Sequence, residues 1–251
     1  MIDKTVQAFL ERWQRYFPGA DLPIAFYYTD DDSDGKPAPR TEDFHCLICD
    51  LGRVRKGQPT SFSLESLGCG GAQRYAGFTA DLREHFDYFL SCGLRGHIDG
   101  IRFKKNPDLV RRHLEHQEPY TAPGRFIVFK RVDQLDPADN PSVVVFFAHA
   151  DILAGLYSLG NFDEPSPDGV ICPSGSGCAS IVYFPYRESL SENPRAVLGM
   201  FDISARPCVR SETLTLAVPW ARFVRMVDNM DESFLITDEW REVMKRLAQQ
   251  T

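Results

Sequence analysis

The chain has 251 residues, of which 43% are hydrophobic and 25% are charged, and 28 basic against 35 acidic residues give a net charge of −7. These values are close to globular averages and exclude collagen-like, disordered and coiled-coil proteins. The acidic balance and the absence of a long basic block also argue against a nucleic-acid partner.

The first predicted elements are a helix, a strand, a loop and a second helix. Apolar residues repeat at helical spacing over residues 6–17, and the aromatic run 23–28 favours a strand. The acidic, turn-rich segment 29–40 predicts a flexible loop, because it lacks apolar periodicity. Residues 41–56 predict a helix with Thr41 as its N-cap, Glu42 and Asp43 in the first turn and basic residues in the last.

The rest of the chain alternates between strand and helix signals. Further strands are expected at residues 61–64, 125–131, 142–148, 170–172, 196–201 and 214–218. Helices are expected after Gly71, twice between residues 81 and 116, from Asp151, and over the C-terminal region of about 219–251. The uneven spacing of the strands leaves room for hairpins as well as crossovers. We therefore predict an α+β fold, a mixed sheet covered by helices, as a single compact domain over residues 1–251.

No apolar run is long enough to cross a bilayer, since the longest, Val143–Ala148, has the length of a strand. The sequence passes from Met1 directly into an amphipathic pattern, without the features of a signal peptide. We expect a cytoplasmic protein that does not associate with membranes. Its seven cysteines are an odd number in a chain too large to need covalent staples, which argues against a disulfide framework.

Most of the cysteines lie beside glycine, proline or another cysteine. The segments are 45–49 (HCLIC), 68–71 (GCGG), 172–178 (CPSGSGC) and 206–208 (RPC). Glycine turns permit positive φ and leave backbone N–H groups free to point at an anion, a cluster sulfide or a thiolate. Where Cys178 opens a helix, the positive helix end also favours its thiolate. Such cysteines are reactive or metal-ligating more often than those within a helix.

The Cys46 and Cys49 pair matches no familiar local motif. A thioredoxin-type site needs the pair at a strand-to-helix junction, whereas the pattern of residues 41–56 places it inside a helix. A zinc ribbon needs a second pair, and a ferredoxin needs three closely spaced cysteines. A site assembled from distant segments remains, with Cys46, Cys69 and Cys178 as its core. Its fourth ligand would be Cys172, Cys49 or Cys208. The alternative is that these cysteines are ordinary buried core residues.

Three segments also carry a family resemblance: 68–78 (GCGGAQRYAGF), 173–181 (PSGSGCASI) and 201–207 (FDISARP). In them the chain resembles the uncharacterised prokaryotic family called domain of unknown function 169, and the resemblance extends from about residue 44 to about residue 247. It implies a shared cysteine framework without an assigned reaction. The recurring cysteines correspond to Cys46, Cys69 and Cys178. The cysteines peculiar to this chain are Cys49, Cys92 and Cys208.

The leading functional hypothesis is an iron–sulfur cluster bound by Cys46, Cys69 and Cys178, with Cys172 as the preferred fourth ligand. The residues expected to surround it are Gly70, Gly71, Gly177, Asp202 and Arg206. Asp202 and Arg206 stand four residues apart, so a helix there would pair their side chains. The partner would be a redox protein or a small molecule, and a homo-oligomer is compatible with the sequence.

A second hypothesis is a metal-free binding protein or enzyme. Its pocket would lie between the turns at residues 68–78 and 173–180, with Cys178 as a nucleophile. Asp202 and Arg206 would then polarise an anionic ligand, because a guanidinium binds carboxylate or phosphate through two hydrogen bonds. A third hypothesis gives the cysteines no role beyond the core.

Overall fold

A computed structural model describes residues 2–39 and 45–249. The strands are β1 (Ile24–Thr29), β2 (Lys36–Pro37), β3 (Thr60–Phe62), β4 (Phe126–Arg131), β5 (Val143–Ala148), β6 (Val170–Ile171), β7 (Ala196–Gly199) and β8 (Leu214–Pro219). The helices are α1 (Ile2–Tyr16), α2 (Leu47–Arg55), α3 (Gly70–Tyr75), α4 (Phe86–Phe89), α5 (Pro107–Glu115), α6 (Ala150–Gly160), α7 (Phe184–Ser189), α8 (Trp220–Asn229) and α9 (Asp238–Ala248). None of these helices combines the length and the apolar character needed to cross a membrane.

All of these strands join one sheet of eight, in the order β2-β3-β4-β1-β5-β8-β7-β6. The two edge pairs, β2 with β3 and β6 with β7, are parallel, and the pairs between them are antiparallel. The sheet is therefore mixed, and the predicted α+β class is confirmed.

Strand β5 lies near the middle of the sheet and divides its side chains between two cores. Val143, Val145 and Phe147 face the core formed with α2, α3 and α7. The alternate residues of β5 face a second core, formed with α1, α6, α8 and α9. Because successive side chains of a strand point to opposite faces, one apolar run supports both layers of helices. The sheet is thus covered on both sides.

Two predicted elements differ from the structure near the cysteine segments. Helix α2 begins at Leu47, because Cys46 has an extended backbone at the N-cap position, with φ −94° and ψ 128°. The predicted cap Thr41 and the acidic Glu42 and Asp43 lie outside the described residues. Within the predicted loop 29–40, the short strand β2 pairs with β3, so part of that segment belongs to the sheet edge.

A fully buried arginine connects α8 to the segments that flank β6 and β7, at one edge of the sheet. The Arg222 guanidinium donates to the carbonyl oxygens of Gly160 and Pro194, at 2.9 and 2.8 Å, and to the carboxylate of Glu164. Glu164 is itself buried, with a side chain 4% exposed. The Asn193 amide, together with Arg222, holds the pKa of Glu164 below its ordinary value. The stabilisation from this carboxylate is therefore present at neutral pH and is lost as the pH falls through the lowered pKa.

Replacing Arg222 with methionine is expected to lower the free energy of unfolding by roughly 3 kcal/mol, because it leaves a buried carboxylate short of a charged partner. Arg225 also contacts Glu164, but its side chain is 41% exposed. The matched change Arg225→Met should therefore cost less than about 1 kcal/mol. Urea denaturation of both variants measures the difference, and equal losses would contradict the assigned role of Arg222.

Candidate metal centre

Three cysteines predicted to form one site are brought together on the same face of the sheet. Cys46 is the N-cap of α2, and Cys69 is the N-cap of α3. Cys178 directly precedes a π-helical turn, Ala179–Tyr183, that continues into α7. Cys178 lies within the core on this face, and Cys46 and Cys69 pack against it. Three helix starts thus bring three thiols into one region.

A backbone N–H group at one of these helix starts points at sulfur. The amide of Ala72 donates to Sγ of Cys69 at 3.3 Å. The side chain of Cys46 makes no such cap hydrogen bond, and the amide of Cys49 donates to the backbone carbonyl oxygen of Cys46 at 3.0 Å. Cysteine here occupies the position in which serine or aspartate usually caps a helix. Amides placed in this way stabilise negative charge on sulfur, whether the thiolate is free or bound to a metal.

Burial raises the pKa of two of the three clustered thiols. The pKa of the Cys178 thiol lies well above its ordinary value because of burial, and negative charge on Cys69, Cys46 or Asp202 raises it further. Burial also raises the pKa of Cys46. Each thiolate would disfavour the others, because like charges in a poorly solvated region repel. A cation bound among the three sulfurs would offset this repulsion.

The glycines near these cysteines provide space rather than an unusual backbone conformation. The positive-φ glycines of the described chain are Gly19, Gly35, Gly57, Gly77, Gly93 and Gly96. The positive φ that glycine permits is therefore not used at residues 70–71 or 175–177, and Gly70 and Gly71 form the first turn of α3. A Cβ on Gly177 would lie 3.2 Å from side-chain atoms of both Ile48 and Ala205. Gly177 thus allows the turn before Cys178 to pack closely against α2.

Asp202 holds that turn in place. Its carboxylate is buried and accepts the backbone N–H of Gly177 at 2.8 Å. Its other oxygen accepts from the amide and the hydroxyl of Ser204. The Gly177 amide, expected to be free for a ligand, is therefore engaged by Asp202. Asp202 positions the turn that carries Cys178.

Arg206 serves the backbone of the neighbouring loop. Its guanidinium donates to the carbonyl oxygens of Met200, Arg210, Ser211 and Thr213. The expected ion pair with Asp202 is not formed in the described part of the chain, although the Arg206 amide donates to the Asp202 carbonyl oxygen at 3.1 Å as in a helical turn. The Asp202 carboxylate binds Gly177 and Ser204 instead, and the guanidinium binds these carbonyl groups.

Replacing Arg206 with lysine is expected to lower the free energy of unfolding by about 1 to 3 kcal/mol, because one ammonium cannot serve four separate carbonyl groups. The exposed Arg210 offers a matched control, Arg210→Lys, that should change little. Thermal and urea unfolding measure both effects. Unchanged stability of the Arg206 variant would show that its carbonyl contacts contribute nothing.

The remaining cysteines fall into two groups. Cys49 and Cys208 form a disulfide across a sequence separation of 159 residues, although the odd number of cysteines argued against a disulfide framework. Two of the three candidates for a fourth ligand are therefore bonded to each other. The third candidate, Cys172, is an exposed free thiol that follows β6, and Cys92 is also exposed and free. Partial burial raises the pKa of Cys172.

Two side chains that the sequence did not single out also border this region. Burial raises the pKa of Tyr75 to about 12, and the charge of Cys178 adds to this rise. The Tyr75 hydroxyl donates to Gln117 at 3.0 Å. Next to Cys46, the imidazole of His45 lies against Gly68 and contacts Asp50 through Nδ1 at 2.5 Å. Their proximity depends on the tertiary fold, and only the adjacency of His45 to Cys46 was visible in the sequence.

Among residues 2–39 and 45–249, no three His, Cys, Asp or Glu side chains form a ready-made site for a single metal ion. Comparison with known proteins gives one match: the profile of a family described as uncharacterised ArCR, domain of unknown function 169, covers residues 20–229. That range contains all three clustered cysteines. No curated protein and no solved structure is detectably similar to the chain.

Proposed function

The chain belongs to the uncharacterised family domain of unknown function 169, and from its own geometry we propose that it binds an iron–sulfur cluster through Cys46, Cys69 and Cys178. The observation that carries this proposal is the convergence of three thiols from three helix starts in one core. Thiolate ligands suit iron–sulfur clusters and other soft metal centres. When bound, such a cluster supplies one-electron transfer or a Lewis-acidic iron.

The chemistry of the side chains supports a metal centre over an ordinary apolar core. A core cysteine needs no donor, yet the backbone amide of Ala72 points at the sulfur of Cys69. Hydrogen bonds to sulfur stabilise cluster-bound thiolates and adjust their reduction potential. A cluster would also compensate for the mutual repulsion of three thiolates. The arrangement therefore favours a bound group that contains positively charged iron.

A cluster places looser demands on the positions of its ligands than one metal ion does. A single zinc or iron ion requires its ligands to converge tightly at about 2.3 Å from the metal. No such tight group occurs in the described part of the chain. A cluster spreads its irons and sulfides between the thiolates, so it suits ligands that share a core without meeting at one point.

The metal-free hypothesis is less well supported because it requires Cys178 to act as a nucleophile. That side chain is only 7% exposed, and burial raises the pKa of its thiol. A reactive cysteine needs an accessible thiolate. Cys178 has neither the access nor the electropositive surroundings of such a residue, so its position suits a ligand better than a nucleophile.

Anaerobic purification followed by iron and acid-labile sulfide analysis tests the proposal directly. If the protein is isolated without iron, it is incubated anaerobically with Fe²⁺ and sulfide, and its absorbance and electron paramagnetic resonance (EPR) spectra are recorded. We expect iron and sulfide in stoichiometric amounts and a signal on reduction. Failure to take up both under these conditions, or uptake of zinc alone, would refute an iron–sulfur site.

Alkylation of the metal-free protein with iodoacetamide separates the two hypotheses. The cluster proposal predicts slow modification of Cys178 and rapid modification of the exposed Cys92 and Cys172. It also predicts that a bound cluster protects Cys46, Cys69 and Cys178 together until a chelator removes the iron. Fast and selective modification of Cys178 in metal-free protein would instead favour the nucleophile hypothesis.

A further inference from the structure

We infer that His45 is the fourth protein ligand of this centre and binds iron through Nε2. This inference rests on the cluster proposed above and identifies a ligand outside the cysteine set. The alternative within that set is Cys172, which is exposed after an edge strand. Four observations around the imidazole support the choice of His45.

The position of His45 links two of the cysteine segments. His45 directly precedes Cys46, and its ring packs against Gly68, which directly precedes Cys69. A Cβ built on Gly68 would lie 2.3 Å from Cδ2 and 2.5 Å from Nε2 of the ring. Only glycine leaves room for the imidazole there. The absent side chain of Gly68 thus provides the space in which the ring sits between the two segments.

The Nδ1 atom of His45 is already engaged. It contacts the carboxylate of Asp50 at 2.5 Å, and the other oxygen of Asp50 accepts from Arg53 at 2.8 Å. A carboxylate only accepts hydrogen bonds, so in the neutral ring Nδ1 carries the proton and Nε2 presents its lone pair. Arg53 restrains Asp50, and Asp50 in turn orients the imidazole.

The Nε2 atom is buried and has no hydrogen-bond partner among the described residues. Buried polar atoms in folded proteins nearly always have a partner, and an exception calls for an explanation. A histidine with Nδ1 on a carboxylate and Nε2 free has the arrangement typical of a metal ligand with its supporting carboxylate. A metal bond at Nε2 would satisfy the orphaned atom.

The same short segment therefore supplies a ligand pair and its support. Cys46 and His45 are adjacent at the start of α2, and Asp50 lies in the first turn of that helix. Cys46 occupies the N-cap position before this turn, while His45 receives its orientation from Asp50. Mixed ligation by cysteine and histidine raises the reduction potential of a cluster relative to ligation by cysteine alone. His45 would thus set the potential of the centre.

The experiment uses the protein loaded with Fe²⁺ and sulfide, reduced and measured by pulsed EPR for coupling to a histidine nitrogen. We expect this coupling in the unaltered protein and its loss in His45→Ala and His45→Cys. The His45→Cys variant should keep its iron and show a lower reduction potential. His116→Ala changes an exposed histidine and serves as the control.

A second variant tests the same ligand without altering it. Gly68→Ala places a methyl group where the imidazole lies, so the nitrogen coupling should disappear while Cys46, Cys69 and Cys178 remain. Gly70→Ala is the matched control, because a Cβ there meets nothing within 4 Å.

The His45→Ala variant should also lose iron to a chelator roughly tenfold faster than the unaltered protein. Changes in metal affinity of about this size are typical when the residues around a metal are altered.

The possible failures are distinguishable. If the unaltered protein takes up no iron and sulfide, the proposed cluster itself is refuted. If a cluster forms without nitrogen coupling, or if Cys172→Ser rather than His45→Ala changes the spectrum and the potential, the assignment of His45 is wrong while the cluster stands.

Discussion

Replacing Cys178 with serine is expected to lower the iron and sulfide bound per chain by roughly tenfold or more, because it removes a proposed ligand. Loss of a residue that only supports a metal ligand already lowers metal affinity by about tenfold or more. A serine hydroxyl is a poor ligand for the irons of a cluster, which select thiolates. Serine nearly matches cysteine in size, so the surrounding core should tolerate the change. The same loss is expected for Cys46→Ser and Cys69→Ser.

The measurement is metal analysis after anaerobic reconstitution, together with urea denaturation of the metal-free proteins. Cys92→Ser is the matched control, because Cys92 is a free and exposed thiol far from the three ligands in the sequence. The Cys178 variant should fold but fail to retain iron. Retention at the level of the control would show that Cys178 is merely a core residue.

Removing the disulfide by Cys208→Ser is expected to lower the free energy of unfolding by roughly 2 to 5 kcal/mol under oxidising conditions. The upper value corresponds to the chain entropy of a loop as long as the 159-residue separation between Cys49 and Cys208. The bond joins α2 to the 3₁₀ turn Arg206–Cys208. Cys208 packs against the same core as the three clustered cysteines.

Urea denaturation with and without a reductant isolates this contribution. The unaltered protein should lose stability on reduction, whereas Cys208→Ser should be insensitive to the reductant and should match the reduced protein. Cys92→Ser again controls for the loss of a thiol. If Cys208→Ser were less stable than the unaltered protein by the same amount with and without the reductant, Cys208 would act by packing and not through its bond.

The sequence predicts the sheet and its helical layers well because these depend on local patterns. The apolar run Val143–Ala148 forms β5 as expected, and Thr237 caps α9 by accepting from the amide of Trp240. The start of α2 was misplaced because apolar and charged residues continue at helical spacing across Cys46. Periodicity cannot show that Cys46 adopts an extended backbone, so that α2 begins only at Leu47.

The details of the site depend on contacts between distant segments, so they could not be predicted as well from the sequence. The sequence selected Cys46, Cys69 and Cys178, yet it could not pair Cys49 with Cys208 across most of the chain. It linked Asp202 to Arg206 by helical spacing, whereas Asp202 binds the turn before Cys178 and Arg206 binds carbonyl groups. The steric role of Gly68 depends on the packing of the His45 ring against it, which only the tertiary structure shows.

The strand order has a consequence for the time at which the centre can form. Strand β1 lies between β4 and β5, and β8 fills the place between β5 and β7. The early strand β1 therefore pairs with strands that are synthesised much later, as is typical of folds dominated by non-local pairing. During synthesis Cys46 and Cys69 leave the ribosome long before Cys178, and the strand that closes the sheet follows later still. If the proposed cluster is bound, its insertion is thus expected after translation, once β8 has joined the sheet.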